Sequence, residues 1–301
     1  MSLSVRIPLA GPLGQEILDT IQSDVPKELL YHYTTQKGLL GIIENKEIWA
    51  THHQCLNDTE EFIHAKRLFR SEVERGAHDA DPLRRAILHS LEGEGFEGVN
   101  LYVASFSEDR DSLAQWRAYG GQGSWFSLGF DMGETVPPKP FIFARCIYEE
   151  TKQRARVGAL IAAIVARLSS LPGEITAEPS NVRQYTDLFT RLMLHRFGLT
   201  LKHPKFAEEK EWRIISLGAI MDAPSDTEEA PLSFREGKST LIPYRRLRLR
   251  DKKGCFPLTE VVVGPNPDPE QSVRSVRSLL ASRGLAHCNP PIKSDVPFRN
   301  W

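Results

Sequence analysis

Two hydrophobic periodicities interleave irregularly along this chain, and that pattern limits its fold more than any single motif. Period-two stretches predict strands at 29–34, 47–51, 99–107, 125–130, 141–148, 211–217, 239–244 and 258–263. Helical spacing predicts a short helix carrying Leu39, Leu40, Ile42 and Ile43, and a long one after Asp58. A third, headed by Asp111, carries Trp116 and Tyr119, and others cover 157–169, 182–197 and 270–283. Thr34 or Thr35, Asp58 and Asp111 have the short polar side chains that cap helix starts. Residues 221–238 read as a long polar loop. No internal repeat or linker divides the chain. The pattern predicts one α+β domain over 29–301, with a helical insertion at about 151–200. Residues 1–28 form an N-terminal extension in which a short amphipathic helix starts at Ile17.

Composition narrows the function class. Hydrophobic residues are 41% and charged residues 26%, ordinary for a soluble globular protein. A net charge of -1 gives no global field for nucleic acid or membrane. No apolar run reaches the roughly 20 residues of a membrane span, and residues 1–12 lack the pattern of a signal peptide. Cys55, Cys146, Cys255 and Cys288 are scattered, which predicts free thiols and a cytoplasmic location. His52-His53 with Cys55 matches no common zinc spacing, so no metal is expected.

Three segments carry chemistry. Glu209-Lys210-Glu211-Trp212-Arg213 sets two carboxylates one residue apart at the head of an apolar run. On a strand they would share a face and present two acceptors to one ligand. A solvated charge run is the plainer reading of the same residues. Leu30-Tyr31-His32-Tyr33-Thr34 offers an imidazole at a strand end, either a core histidine or a ligand donor. Ser105 and Ser107 share one face of their strand, as satisfied hydroxyls or as ligand contacts. Trp49 and Tyr119 are candidate aromatic walls, whereas Trp116 reads as core. Arg246, Arg248 and Arg250 would face one way on a strand, either a solvated edge or a phosphate-binding surface.

Together these segments carry a resemblance. Tyr31-His32-Tyr33-Thr34, Trp49-Ala50-Thr51, Leu56-Asn57-Asp58-x-x-Glu61, Ser105-Phe106-Ser107-Glu108, Trp116-x-x-Tyr119 and Glu209-x-Glu211-Trp212-Arg213 occur in this order. So does the tail, Val263-Gly264-Pro265 and Ser294-x-x-Pro297-Phe298-Arg299. The set resembles the bacterial family known as domain of unknown function 2971. Its layout is in turn similar to the ADP-ribosyltransferase superfamily. That likeness implies an α+β fold with a split β-sheet core. It also implies an enzyme that cleaves the nicotinamide–ribose bond of NAD and transfers ADP-ribose to a protein, RNA or DNA acceptor.

Such a role implies toxin or phage-defence biology, no metal and no membrane partner. By the resemblance, Glu211 is the catalytic glutamate and Glu209 orients the acceptor. His32 holds the ribose and carboxamide, while Tyr33, Thr34, Trp49, Ser105, Ser107 and Tyr119 line the NAD site. A carboxylate near the ribose would stabilise the oxocarbenium-like transition state. His32 belongs to one subclass pattern and the Ser-x-Ser and Glu-x-Glu elements to another. A non-catalytic nucleotide or nucleic-acid binding module of the same fold is the alternative.

Overall fold

The computed structural model describes residues 26–56, 60–75, 82–92, 100–118, 125–138, 141–171, 173, 177–216 and 230–297. The helix expected from Ile17, the Asp58 cap, Tyr119 and Phe298-Arg299 lie outside them. In chain order the elements begin with β1 (Leu29–Thr35), α1 (Gln36–Asn45) and β2 (Ile48–His52). Next come α2 (Glu60–Arg75), α3 (Pro82–Glu92), β3 (Tyr102–Ser107) and α4 (Leu113–Ala118). β4 (Trp125–Asp131), β5 (Thr135–Val136), β6 (Phe141–Arg145), α5 (Glu150–Ser169) and α6 (Pro179–Gly198) follow. A 3-10 turn (Pro204–Glu209) leads into β7 (Glu211–Ser216), β8 (Leu232–Glu236), β9 (Leu241–Leu247) and β10 (Arg250–Asp251). β11 (Leu258–Val263), α7 (Pro269–Ser282) and β12 (Ile292–Lys293) complete the order.

Ten strands form one mixed sheet in the order β12-β11-β4-β1-β3-β2-β9-β8, with β7 on β3 and β6 on β7. The sheet forks at β3. β7 follows one edge of β3 from Val103 to Ser107. The other edge is shared. β1 meets it at Tyr31↔Ser107, and β2 at Thr51↔Val103 and His52↔Tyr102. Between these points His32 Nδ1 donates to the Ser105 carbonyl at 2.9 Å, so a side chain takes the acceptor that neither strand pairs.

Strand alternation sends apolar residues to both faces of this sheet. On one, Leu30, Phe106, Leu128, Phe130 and Ile214 meet Leu39, Ile42 and Ile43 of α1 and Val276 and Leu280 of α7. The α1 face forms because Thr35 caps the helix, its side chain accepting from Gly38 N–H at 3.2 Å. On the other face Tyr31, Tyr33, Trp125 and Val262 pack with the fully buried Trp116. α2, α3, α5 and α6 form a separate apolar bundle around Phe69, Ile87, Ile161, Phe189 and Phe197. The helical part thus comes from two chain segments, where the sequence pattern predicted one at about 151–200. Among the described residues, no helix is long and apolar enough to cross a membrane.

Three local expectations change. Asp111 is not the cap expected for its helix: α4 starts at Leu113, directly after Ser112, and the Asp111 carboxylate accepts instead from Trp116 Nε1 at 2.7 Å and from the Asp295 backbone at 2.8 Å, tying α4 to the C-terminal segment. The loop expected at 221–238 contains β8, which makes β9 an interior strand. Arg246 lies on β9, but the strand ends at Leu247, and Arg248 turns to Glu47 at 3.0 Å. The three arginines therefore do not form one edge face.

Candidate functional site

The fork brings one residue from each of three adjacent strands into line. Tyr31 of β1 is opposite Ser107 of β3, and Ser107 is opposite Glu211 of β7. Alternation adds Tyr33, Ser105 and Arg213 to the same face. A narrow crevice opens there, lined by Tyr31, Tyr33, Ser105, Ser107, Gln115, Glu209 and Glu211. Its volume is about 10 Å³, room for about one water.

The tyrosines are tied down. Tyr31 lies across Gly129 of β4 and its hydroxyl donates to Glu260 of β11 at 2.8 Å. A Cβ at Gly129 would come within 2.8 Å of Tyr31 Cε1 and 2.9 Å of Glu260 Cγ. Gly129→Ala is therefore expected to cost about 1–3 kcal/mol of stability in denaturant unfolding. The cost should shrink in a Tyr31→Ala background, because the two changes share a contact. Equal costs in both backgrounds would refute this account. Tyr33 donates to the Asp109 carbonyl at 2.7 Å and accepts from Ser112 N–H at 2.9 Å. Burial pushes both phenols above their ordinary pKa.

Glu211 stands at the centre of a buried ionic network. Its carboxylate meets Arg213 Nε at 2.8 Å, Arg213 Nη2 at 2.9 Å and Lys202 Nζ at 2.6 Å. Arg213 also grips Glu61 of α2 with both terminal nitrogens at 2.9 Å, and gives its last N–H to the Leu199 carbonyl at 2.7 Å. All five guanidinium donors are thereby used. Lys202 Nζ further contacts Glu209, and lies 3.5 Å from Glu61. Three carboxylates face two cations, a surplus of one negative charge.

Burial alone would raise the pKa of Glu211, but Arg213 and Lys202 outweigh it and hold the group at about 2. Glu209 differs. Its side chain is 24% exposed, and burial lifts its pKa above the ordinary value against the pull of Lys202.

Glu209 is not on the strand. It ends the 3-10 turn, and Lys210 at φ 42° reverses the chain in the left-handed region before β7 begins. The two carboxylates converge on one ammonium group instead of sharing a strand face. The crevice does not include His32. Strand alternation turns it to the opposite face, where its ring lies 5.5 Å from that of Phe106. Burial lowers the pKa of His32, opposed by its bond to Ser105. Thr34 shares that side, opposite Phe126. Trp49 is on the crevice side by alternation, but its ring packs at a tilt against Tyr244, 4.3 Å between centroids, and does not line the crevice. Ser107 donates to the Glu209 carbonyl at 2.7 Å and so holds the 3-10 turn in place.

Sequence reasoning missed Lys202 and the pairing of Glu61 with Arg213. The only signal was the family motif itself, which contains Glu61 and Arg213. Among the described residues, no group of His, Cys, Asp and Glu is arranged to hold a metal ion.

Residues 115–214 match the model of the family described as protein of unknown function (DUF2971). No curated protein and no solved structure matches the chain. The matched stretch starts in α4 and ends in β7, so it contains Gln115, Lys202, Glu209, Glu211 and Arg213. β1 and β3 lie outside it, so the tyrosine and serine walls of the crevice come from elsewhere in the chain.

Proposed function

We propose that this chain is an ADP-ribosyltransferase-like enzyme that cleaves the nicotinamide–ribose bond of NAD and passes ADP-ribose to a macromolecular acceptor. The observation that carries this reading is the register Tyr31↔Ser107↔Glu211 at the fork of the sheet, with Glu209 at the mouth of the same crevice. In the reaction nicotinamide leaves with the bonding electron pair. Positive charge then develops at ribose C1′, and the acceptor nucleophile closes on it. The surplus negative charge around Lys202 stabilises that cation. Glu209 is the group suited to take the acceptor's proton, because it is the carboxylate of the network that reaches solvent. Glu211, held by two cations, keeps Lys202 and Glu209 in place. A crevice that holds about one water must widen to admit a nicotinamide riboside.

The test is nicotinamide release from NAD, alone and with protein, RNA or DNA acceptors. Release by wild type and its loss in Glu209→Gln support the reading. A second reading, a binding module without turnover, is favoured by the full ion pairing of both Glu211 oxygens. Saturable NAD binding with no nicotinamide released under any acceptor would establish that second reading in place of the first.

A further inference from the structure

A larger groove lies outside the crevice, between α2, the first turn of α5 and the 3-10 turn at Pro204–Glu209. Its volume is about 730 Å³, within the range of about 300–1,000 Å³ common for small-ligand sites. The hydrogen bonds around it fix what it offers. Gln153 Nε2 donates to the Ile147 carbonyl at 2.6 Å and the Lys202 carbonyl at 2.8 Å, so its Oε1 is left as the acceptor. His64 Nε2, 2.9 Å from that oxygen, therefore donates to it. His203 is the reverse. Its Nδ1 accepts from Lys205 N–H at 3.2 Å, which leaves an N–H donor at Nε2.

Most of the groove's charged side chains are already engaged in ion pairs. Arg154 is committed to Glu72 at 2.9 Å and to Glu150 at 2.8 Å. Glu61 is held by Arg213. Arg67 is exposed and has no ion-pair partner among the described residues. Phe206 adds an aromatic ring, 41% exposed, at the rim. An unspent guanidinium, a ring-nitrogen donor and an exposed aromatic ring suit a ligand with a phosphate and a flat polar ring.

We propose that this groove binds a nucleoside monophosphate, with the phosphate on Arg67 and the base against Phe206. The site does not depend on NAD cleavage at the crevice, and its test is a binding measurement alone. Titration calorimetry with AMP, adenosine and inorganic phosphate is compared across wild type, Arg67→Ala and Phe206→Leu. Both side chains are exposed, and the Phe206 ring also lies 5.4 Å from Lys202 Nζ, so thermal unfolding without ligand is measured for each variant to show that it folds. AMP should bind wild type saturably, and each variant should weaken it about tenfold or more. Adenosine should bind wild type as weakly as AMP binds Arg67→Ala. No saturable binding of AMP to wild type, or equal AMP affinity in wild type and both variants, would overturn the proposal. Neither outcome changes the nicotinamide-release assay, so the two ideas fail separately.

Discussion

Arg213→Met is expected to destabilise the fold by about 3–5 kcal/mol, the usual cost of removing one partner from a buried ion pair. The reason is the commitment of the guanidinium, whose five donors serve Glu61, Glu211 and the Leu199 carbonyl. Methionine fills much of the space and supplies none of those donors. Glu61 and Glu211 would remain buried with Lys202 as their shared cation. The urea midpoint should fall with little change in slope. A loss below about 1 kcal/mol would mean that water or rearrangement satisfies the carboxylates, and the network would not be structural. Adding Glu61→Gln and Glu211→Gln to Arg213→Met should recover part of the loss, because it neutralises the two carboxylates that lost their guanidinium and leaves Lys202 paired with Glu209.

Acid should reproduce part of this effect in wild type. The folded pKa of Glu211 is about 2, below the ordinary carboxylate range. Its stabilisation is therefore complete above that range and is lost as pH falls through it towards about 2. Stability measured between about pH 5 and pH 2 should drop more steeply in wild type than in Glu211→Gln.

Much of the sheet was legible because period-two alternation is a local property. β1, β2, β3, β4, β7 and β11 fall within a few residues of their predicted spans. α5 extends seven residues earlier than the predicted start at Val157, since its first turns are polar and show little periodicity. β8 escaped notice inside a stretch rich in Asp, Glu, Ser and Pro, and its LSFRE segment is mostly exposed. The site was less legible than the strands. The Ser-x-Ser and Glu-x-Glu spacings did mark residues that meet in one crevice. Which side of the sheet His32 faces depends on register with β3, and register is a long-range property that one sequence does not display. The left-handed turn at Lys210 broke the simple alternation argument for Glu209. Lys202 lay in no recognisable pattern, since its role depends on Gln153 holding the loop by its backbone carbonyl.

The chemical prediction separates the two carboxylates that sequence spacing treats alike. Glu209→Gln should lower nicotinamide release about a hundredfold or more while leaving stability nearly intact. Glu209 is part-exposed, and the buried Lys202 that it contacts keeps its pairing with Glu211 at 2.6 Å, so neutralising Glu209 strands no buried charge. Glu211→Gln should behave otherwise. Both oxygens of Glu211 accept from N–H groups of Arg213 or Lys202. An amide puts an NH₂ donor against one of those donors, so a bond becomes a repulsion as the charge is lost. Glu211→Gln should therefore lose stability along with activity.

The pH profile gives a second readout. Burial raises the pKa of Glu209, so a reaction that needs it ionised should slow as pH falls through that raised value. The acidic limb of the rate profile should vanish in Glu209→Gln. A limb that persists in this variant would assign it to another group. Full nicotinamide release by Glu209→Gln would remove this carboxylate from the mechanism and leave the surplus charge of the network without its proposed use.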